Sequence, residues 1–150
     1  MFVRDFIHVA QPFEAVAPRF VADASWLTAL AEDAASGARD LVASFSTDGT
    51  PAPDPGHLHC DTGPVRVRHD SLVVPLHFAA GDGTIAPALD ADLEVSPVGP
   101  GLSQLTLSAS YRRAALSASD DAIVQRTAEV AARRFLEALA GRISDPDRTA

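Results

Sequence analysis

Apolar and polar residues alternate most clearly in the segment ALDADLEV, residues 88–95. Successive side chains of a strand point to opposite faces, so the two kinds of residue would separate onto two faces. The apolar set is Leu89, Ala91, Leu93 and Val95, and the acidic set is Asp90, Asp92 and Glu94. The pattern predicts an antiparallel strand with one solvated face, and it favours a solvated surface over a metal-binding cluster for the three acids.

Further strands are predicted where β-branched and aromatic residues concentrate or where alternation recurs. In LSQLTLSASYRR, residues 102–113, the apolar positions that end at Tyr111 fall on one face and the polar positions on the other. Asp70 and Ser71 separate two such segments and predict a hairpin turn. The other predicted strands cover residues 2–10, 39–46, 65–69 and 72–80.

Helical patterning occupies residues 11–37. Pro12 suits a first helical turn, whereas Pro18 removes a backbone hydrogen bond from the helix interior. The segment therefore predicts two short helices or a kinked one, and Gly37 is predicted to end the second helix. The following TDGTPAPDPGHLHCDTGP, residues 47–64, has no apolar period and predicts a long exposed loop.

A long amphipathic helix is predicted near the C-terminus, with Ser119 as its N-cap and Gly141 just beyond its end. Glu129 and Arg133 are spaced for an ion pair along its polar face. At 100° per residue its apolar arc contains Ile123, Val124, Thr127, Ala128, Val130, Ala131, Phe135, Ala138 and Leu139. The alanines around Phe135 indicate either a helix that lies close to the sheet or space for a ligand, and both interpretations stay open.

The order of these elements resembles the START-like, or SRPBCC, helix-grip superfamily over residues 2–143. The segments that carry the resemblance are QPFEAVAPRFVADASWL, ALDADLEVSPVG, LTLSASYRR and VAARRFLEALAGRI. The resemblance implies an α+β fold: a strand, two short helices, a curved antiparallel sheet of about six or seven strands in total, and a long C-terminal helix packed across it. Members bind lipids, sterols or polyketides between sheet and final helix, and some cyclise or dehydrate polyketides. No motif defines the superfamily, so no catalytic residue is transferred.

Composition narrows the remaining choices. The 150 residues, 47% of them hydrophobic, suffice for one core, which predicts a single START-like domain over residues 1–144 and a disordered tail over 145–150. A net charge of −8 argues against nucleic acid as a partner, and no apolar segment is long enough for stable insertion in a membrane. One cysteine and no signal peptide predict a cytoplasmic protein. The sequence contains no lysine, which excludes Schiff-base chemistry and a Walker A motif.

The hexapeptide GHLHCD, residues 56–61, combines His57, His59, the only cysteine and Asp61. A zinc site needs three or four ligands in tetrahedral geometry, and a Cys–His nucleophile needs an orienting group and an oxyanion site. Neither requirement is met by close spacing in a loop rich in proline and glycine. We therefore predict no metal and no cofactor, and interpret the segment as a solvated loop that could border the mouth of a cavity.

The predicted ligand-binding residues are Trp26, His77, Tyr111, Ala131, Arg134 and Phe135. For the first three an ordinary structural role competes with a place in the pocket wall, and Arg134 could instead extend along the helix edge to solvent. The direction of His77 is undetermined because its strand is apolar on both faces, and that of His8 is equally open.

Three functions follow. The first is binding of a small hydrophobic molecule, such as a lipid, polyketide or aromatic compound, between sheet and C-terminal helix. The second is a polyketide cyclase or dehydratase, which requires Tyr111, His77, His8 or Arg134 to reach the cavity. The third is a protein-interaction module with a filled core and no ligand. A homodimer is left open.

Overall fold

The computed structural model describes residues 2–44, 58–80, 89–111 and 118–145. In chain order the elements are β1 (Phe2–Val9), α1 (Phe13–Val16), α2 (Pro18–Ala22), α3 (Trp26–Ser44), β2 (Leu58–Thr62), β3 (Arg66–Val67), β4 (Leu72–Ala80), β5 (Leu89–Gly99), β6 (Leu102–Tyr111) and α4 (Ala118–Ser144). The predicted α+β helix-grip architecture is confirmed: a curved antiparallel sheet, short helices after the first strand, and a long C-terminal helix. Residues 47–57 of the predicted loop and residues 146–150 of the predicted tail lie outside the described residues.

The sheet has six strands, with the order β1-β6-β5-β4-β2 and with β3 as an additional short partner of β4. All described pairs are antiparallel, and the register sets Ser110, Asp90 and His77 side by side on three neighbouring strands. The predicted hairpin at Asp70 and Ser71 is confirmed, because the N–H of Arg68 donates to the carbonyl of Ser71 at 2.8 Å. In this order β1 and β2 are the two edges of the sheet.

The two long helices pack beside each other on one face of the sheet. α4 lies along α3, β1 and β6, and α3 also lies along β2. The core between these layers buries side chains from every described layer of the fold: Val16, Phe20, Leu27, Leu72, Leu76, Leu93, Leu105, Leu136, Leu139 and Ile143. No helix in the described ranges has the length and apolarity that crossing a bilayer demands.

Four predictions of secondary structure are wrong. Residues 39–44 continue α3 instead of forming a strand, and Gly37 lies inside that helix. The buried alanines of α3 recur at helical spacing, so its apolar face includes Ala31, Ala34, Ala35 and Ala38. Residues 58–62 form β2 instead of a loop, because Cys60 is buried while His59 and Asp61 face outward. Gly141 belongs to α4, which ends at Ser144.

The buried face of α4 is centred differently from the predicted arc. Ala132, Leu136 and Ile143 are buried, whereas Ala138 is exposed. The reason is that α4 contacts α3 as well as the sheet, so its buried surface extends around the helix towards that neighbour. The predicted Glu129–Arg133 pair does not form either: the nearest carboxylate to Arg133 is that of Asp5, at 2.6 Å.

Candidate functional site

An apolar surface covers the face of β4, β5 and β6 that is turned towards α3 and α4. We call it the inner surface, and its residues are Leu72, Val74, Leu76, Phe78, Leu89, Ala91, Leu93, Val95, Leu105, Leu107 and Ala109. Alternation produces it, because each of these strands directs every second side chain inward. The predicted two-faced character of β5 is confirmed, since the side chains of Asp90 and Asp92 are 54% and 53% exposed on the opposite face. The inner surface can accommodate apolar groups, and the residues of β4, β5 and β6 that form it carry no ionisable or nucleophilic side chain.

One row of this surface crosses the sheet near the starts of β2 and β5. The register aligns Cys60 with Phe78, and Phe78 with Leu89. On the helix side, Ala128 of α4 packs against the core and is half-buried. Gln125 and Glu129 border the first residues of β1, which places this part of α4 at the same end of the sheet. We call the region formed by Cys60, Phe78 and Leu89 on the sheet and by Ala128 on α4 the row end of the inner surface.

Cys60 contributes an ionisable thiol to this row. Its side chain is 1% exposed, and burial, together with the charges of Glu32 and Asp61, raises the pKa of the thiol to about 12. The thiol therefore stays protonated at neutral pH, which is the wrong state for a nucleophile or a metal ligand. His59 points to the other side of β2 and pairs with Glu32 at 3.2 Å, so its imidazole is directed away from the Cys60 thiol.

Within the described residues, no group of three or more His, Cys, Asp or Glu side chains could hold a metal ion. His57, which belongs to the same hexapeptide, lies outside the described residues. The remaining members diverge: Cys60 points into the core, while Asp61 is exposed. Residues 58–61 of the hexapeptide thus belong to β2, and their described side chains do not converge on one site.

The three predicted residues of α4 have different surroundings. Phe135 is buried in the core, and Ala131, four residues earlier, is half-buried. Arg134 is exposed, and its guanidinium lies directly over Gly37 of α3. A Cβ at position 37 would come within 3.0 Å of the Arg134 Nη2 atom, so the missing side chain leaves room for the arginine. Arg134 therefore lies at the junction of two helices and not on the inner surface.

Trp26 begins α3 beside the C-terminal end of α4. Its ring packs on Phe20 at 5.4 Å between centroids, and the guanidinium of Arg142 lies 5.2 Å from its ring centre. The indole N–H donates to the carbonyl of Arg19 at 3.3 Å, and Arg19 in turn donates to the carbonyl of Ile143. These contacts attach the C-terminal end of α4 to α2 and α3, which is a structural role.

His77 faces away from α4, on the outer face of the sheet. Its Nδ1–H donates to Asp90 Oδ1 at 2.5 Å, and both side chains are about half exposed. They border a surface groove of about 440 Å³ that also includes Phe2, Ser108 and Ser110. His8 shares this face and contacts Gln104 at 3.0 Å. His77 and His8 therefore do not line the space between sheet and helix, and the side chain of Tyr111 lies outside the described residues.

The structure thus separates the predicted residues into three places. Phe135 is buried in the core with Ala131 half-buried one turn earlier, Trp26 and Arg134 lie where helices meet, and His77 is on the outer face. Sequence reasoning missed Cys60 as an inner-face residue and Glu32 as its neighbour. The alternation of Leu58, Cys60 and Thr62 with His59 and Asp61 was the available signal for the first; nothing local pointed to the second.

No model of a known protein family and no curated protein matches the sequence. Solved structures with a similar fold include a hypothetical protein from Helicobacter pylori, with a TM-score of 0.43 and 9% identity over 89% of this chain and 86% of that chain. Ara h 8.0201 has a TM-score of 0.41 and 9% identity, with 95% and 97% of the two chains covered. An aromatase/cyclase from a Streptomyces species has a TM-score of 0.34 and 13% identity, with 98% and 97% covered. Scores at this level assign neither a family nor a function.

Proposed function

We propose that this protein is a START-like binding protein that takes up a small hydrophobic molecule between the inner surface and α4, at the row end. The observation that supports the proposal is the apolar character of both walls. Phe78 and Leu89 form one wall, and Ala128 of α4, which packs against the same core, contributes only a methyl group on the helix side. Contact of apolar surface with an apolar ligand is favourable by about 25 cal/mol for each Å² removed from water, so a ligand needs few polar contacts to bind here.

The part of α4 that borders the proposed site is less buried than the C-terminal half of the helix. The C-terminal half of α4 is buried at Leu136, Leu139 and Ile143, whereas Val124, Ala128 and Ala131 are half-buried. α4 approaches α3, β1 and β6 closely but not β4 or β5. A ligand above β4 and β5 would therefore displace side chains rather than helix backbone, and Ala131 and Phe135 are proposed to contact it.

Cys60 provides the test, because it is the only cysteine and its thiol lies in the proposed wall. The rate of modification by methyl methanethiosulfonate, a small neutral reagent, would be measured with and without 1-aminoanthracene, a neutral aromatic probe. Saturable binding together with slower modification of Cys60 is expected. Binding without any protection of Cys60 would remove the row end as the site.

A steric variant tests the same place. Ala128→Phe fills the space opposite the row and should weaken probe binding at least about tenfold, since a ring replaces the volume that the ligand needs. Ala138→Phe is the matched control, because Ala138 is exposed on the other side of α4. Equal binding by both variants, with unchanged circular dichroism, would contradict the proposal.

A second candidate is a protein-interaction module that uses the outer face of the sheet. The observation that favours it is the groove of about 440 Å³, together with the exposure of Phe2 and Phe6 at 61% and 52%. Exposed aromatic residues beside a groove are typical of contact surfaces. Sedimentation velocity of the protein and of a Phe2→Ser, Phe6→Ser double variant separates the candidates: a dimer that the double variant abolishes supports the module, and a wild-type monomer removes self-association.

A further inference from the structure

We infer that the molecule bound at the inner surface is electrically neutral, so that an alcohol, ketone or aromatic compound binds and a carboxylate of the same size is rejected. This inference deepens the proposed function and rests on it. It concerns charge, which the apolar character of the walls alone does not decide, since fatty acids also carry long apolar chains.

Within the described ranges, a carboxylate lies beside the row end of the inner surface. Glu32 lies at the β2 edge, where its Oε1 accepts a hydrogen bond of 2.8 Å from the N–H of Cys60. Asp5 lies at the β1 edge of the same sheet. Asp5 is balanced by the guanidinium of Arg133 at 2.6 Å, so a ligand carboxylate at the row end would meet repulsion from Glu32, in surroundings whose low polarity strengthens it.

Two of the arginines near the helices are already engaged with other groups. Arg133 binds Asp5 at 2.6 Å, Arg142 lies over Trp26, and the guanidinium of Arg134 lies over Gly37 on the helix junction. A carboxylate ligand that recruited Arg133 or Arg142 would have to break an existing contact, and Arg134 is exposed at the helix junction, away from the inner surface. Burial of a carboxylate without a cation is strongly unfavourable, because its hydration is lost and nothing replaces it.

The pKa of Cys60 shows how this part of the wall affects a negative charge. The neutral form of its thiol is favoured by burial and by the charges of Glu32 and Asp61, which raise its pKa. Burial and these two negative charges disfavour a thiolate at Cys60. They would disfavour the carboxylate of a ligand beside Cys60 in the same way. The geometry of the row and the pKa of Cys60 therefore both favour a neutral ligand over an anionic one.

The experiment compares 1-decanol with decanoate at pH 8, each as a competitor of 1-aminoanthracene, below the concentration at which decanoate forms micelles. The two molecules have the same chain and differ in charge. Decanol should displace the probe at least about thirtyfold more strongly than decanoate, because transfer of an unpaired carboxylate to such a site costs far more than transfer of a hydroxyl. Equal displacement, with protection of Cys60 by both, would overturn the inference and leave the proposed function intact. Absence of binding by probe and decanol would instead overturn the proposed function.

A charge variant makes the test specific. Glu32→Gln keeps a side-chain oxygen for the N–H of Cys60 and removes one negative charge, so it should strengthen decanoate binding about threefold to tenfold and leave decanol unchanged. Asp61→Asn serves as a second variant, because Asp61 is exposed and its replacement does not endanger folding. An unchanged ratio of decanol to decanoate affinity in both variants would contradict the proposed electrostatic origin.

Discussion

Glu32 of α3 accepts a hydrogen bond from the backbone N–H of Cys60, at 2.8 Å, on the edge strand β2. The other edge has a matching arrangement: Asp5 Oδ1 accepts from the N–H of Phe6 on β1, also at 2.8 Å. Each carboxylate additionally holds a basic side chain, His59 in the first case and Arg133 in the second. Because open N–H groups at a sheet edge are templates for pairing with another chain, these carboxylates protect both edges of the sheet.

The first prediction concerns the β2 edge. Glu32→Ala should lower the free energy of unfolding by about 1 kcal/mol and accelerate amide hydrogen exchange at Cys60, because a buried N–H loses its acceptor. Denaturant titration and exchange followed by NMR would measure the two effects. Glu32→Gln retains an acceptor oxygen and is the control; if it exchanges as fast as the alanine variant, the side-chain hydrogen bond is not what protects this amide.

The second prediction concerns the attachment of α4 to β1. A double-mutant cycle with Asp5→Ala and Arg133→Ala should give a coupling energy of about 1 kcal/mol, near the upper end for exposed pairs, because their contact is short and Asp5 is only partly exposed. Arg126 and Glu129 form the comparison pair, at 3.7 Å and with both side chains more exposed. Their cycle should give a coupling close to zero. Equal coupling in the two pairs would show that the Asp5 contact has no special importance for docking the helix.

The third prediction compares two glycines that lack space for a side chain. At Gly37 the obstacle is the end of the exposed, flexible Arg134, whereas at Gly63 it is the rigid ring of Pro75, whose Cβ and Cγ would lie 3.1 and 3.2 Å from a new Cβ. Gly37→Ala should therefore stabilise α3 by up to about 1 kcal/mol, the usual gain of alanine over glycine in a helix. Gly63→Ala should destabilise the protein.

Thermal denaturation of both glycine variants checks the comparison. The gain from Gly37→Ala should be larger in an Arg134→Ala background, since the guanidinium no longer has to move. Loss of stability in that background would mean that close approach of the helix backbones, and not the arginine, requires glycine at this position.

The fourth prediction is a dependence of stability on alkaline pH. Folding raises the pKa of Cys60 from 9.0 to about 12, so above pH 9 the unfolded chain releases the thiol proton while the folded chain retains it. The folded state then binds more protons than the unfolded state, and the free energy of unfolding falls as pH rises from 9 towards 12, by at most about 1.4 kcal/mol per pH unit. Below pH 9 both states are protonated, and this contribution is constant.

Cys60→Ala isolates the effect, because it removes the thiol and leaves the other alkaline titrations in place. Urea titrations of both proteins between pH 8 and 10.5 should show a decline that is steeper for the wild type. Parallel curves for the two proteins would mean that the folded thiol ionises as it does in the unfolded chain.

The sequence was a good guide wherever a pattern depends on a single element. The alternation in β5 correctly assigned Asp90 and Asp92 to solvent, and Pro18 correctly marked a break between helices. The order of elements was enough to predict the helix-grip architecture. These features follow from local geometry, because alternation, proline and capping act over a few residues.

Local patterns gave wrong predictions where the same residue type can serve two structural roles. Gly37 indicated a helix end, yet it serves the close approach of Arg134 from another helix, and α3 continues past it. His59 and Cys60 indicated a polar loop, yet Cys60 is buried because β4 supplies a partner strand. In both cases the deciding neighbour is distant in the sequence.

The sequence by itself thus determined most of the elements, the overall architecture that their order implies, and the solvated face of β5. Only the tertiary structure decided that His77 faces away from α4, that Arg134 lies over Gly37, and that Glu32 reaches the N–H of Cys60. The physical reason is that the direction of a side chain in a strand apolar on both faces, and the partner of an edge N–H, depend on which surfaces the fold brings together. Local periodicity contains no information about those contacts.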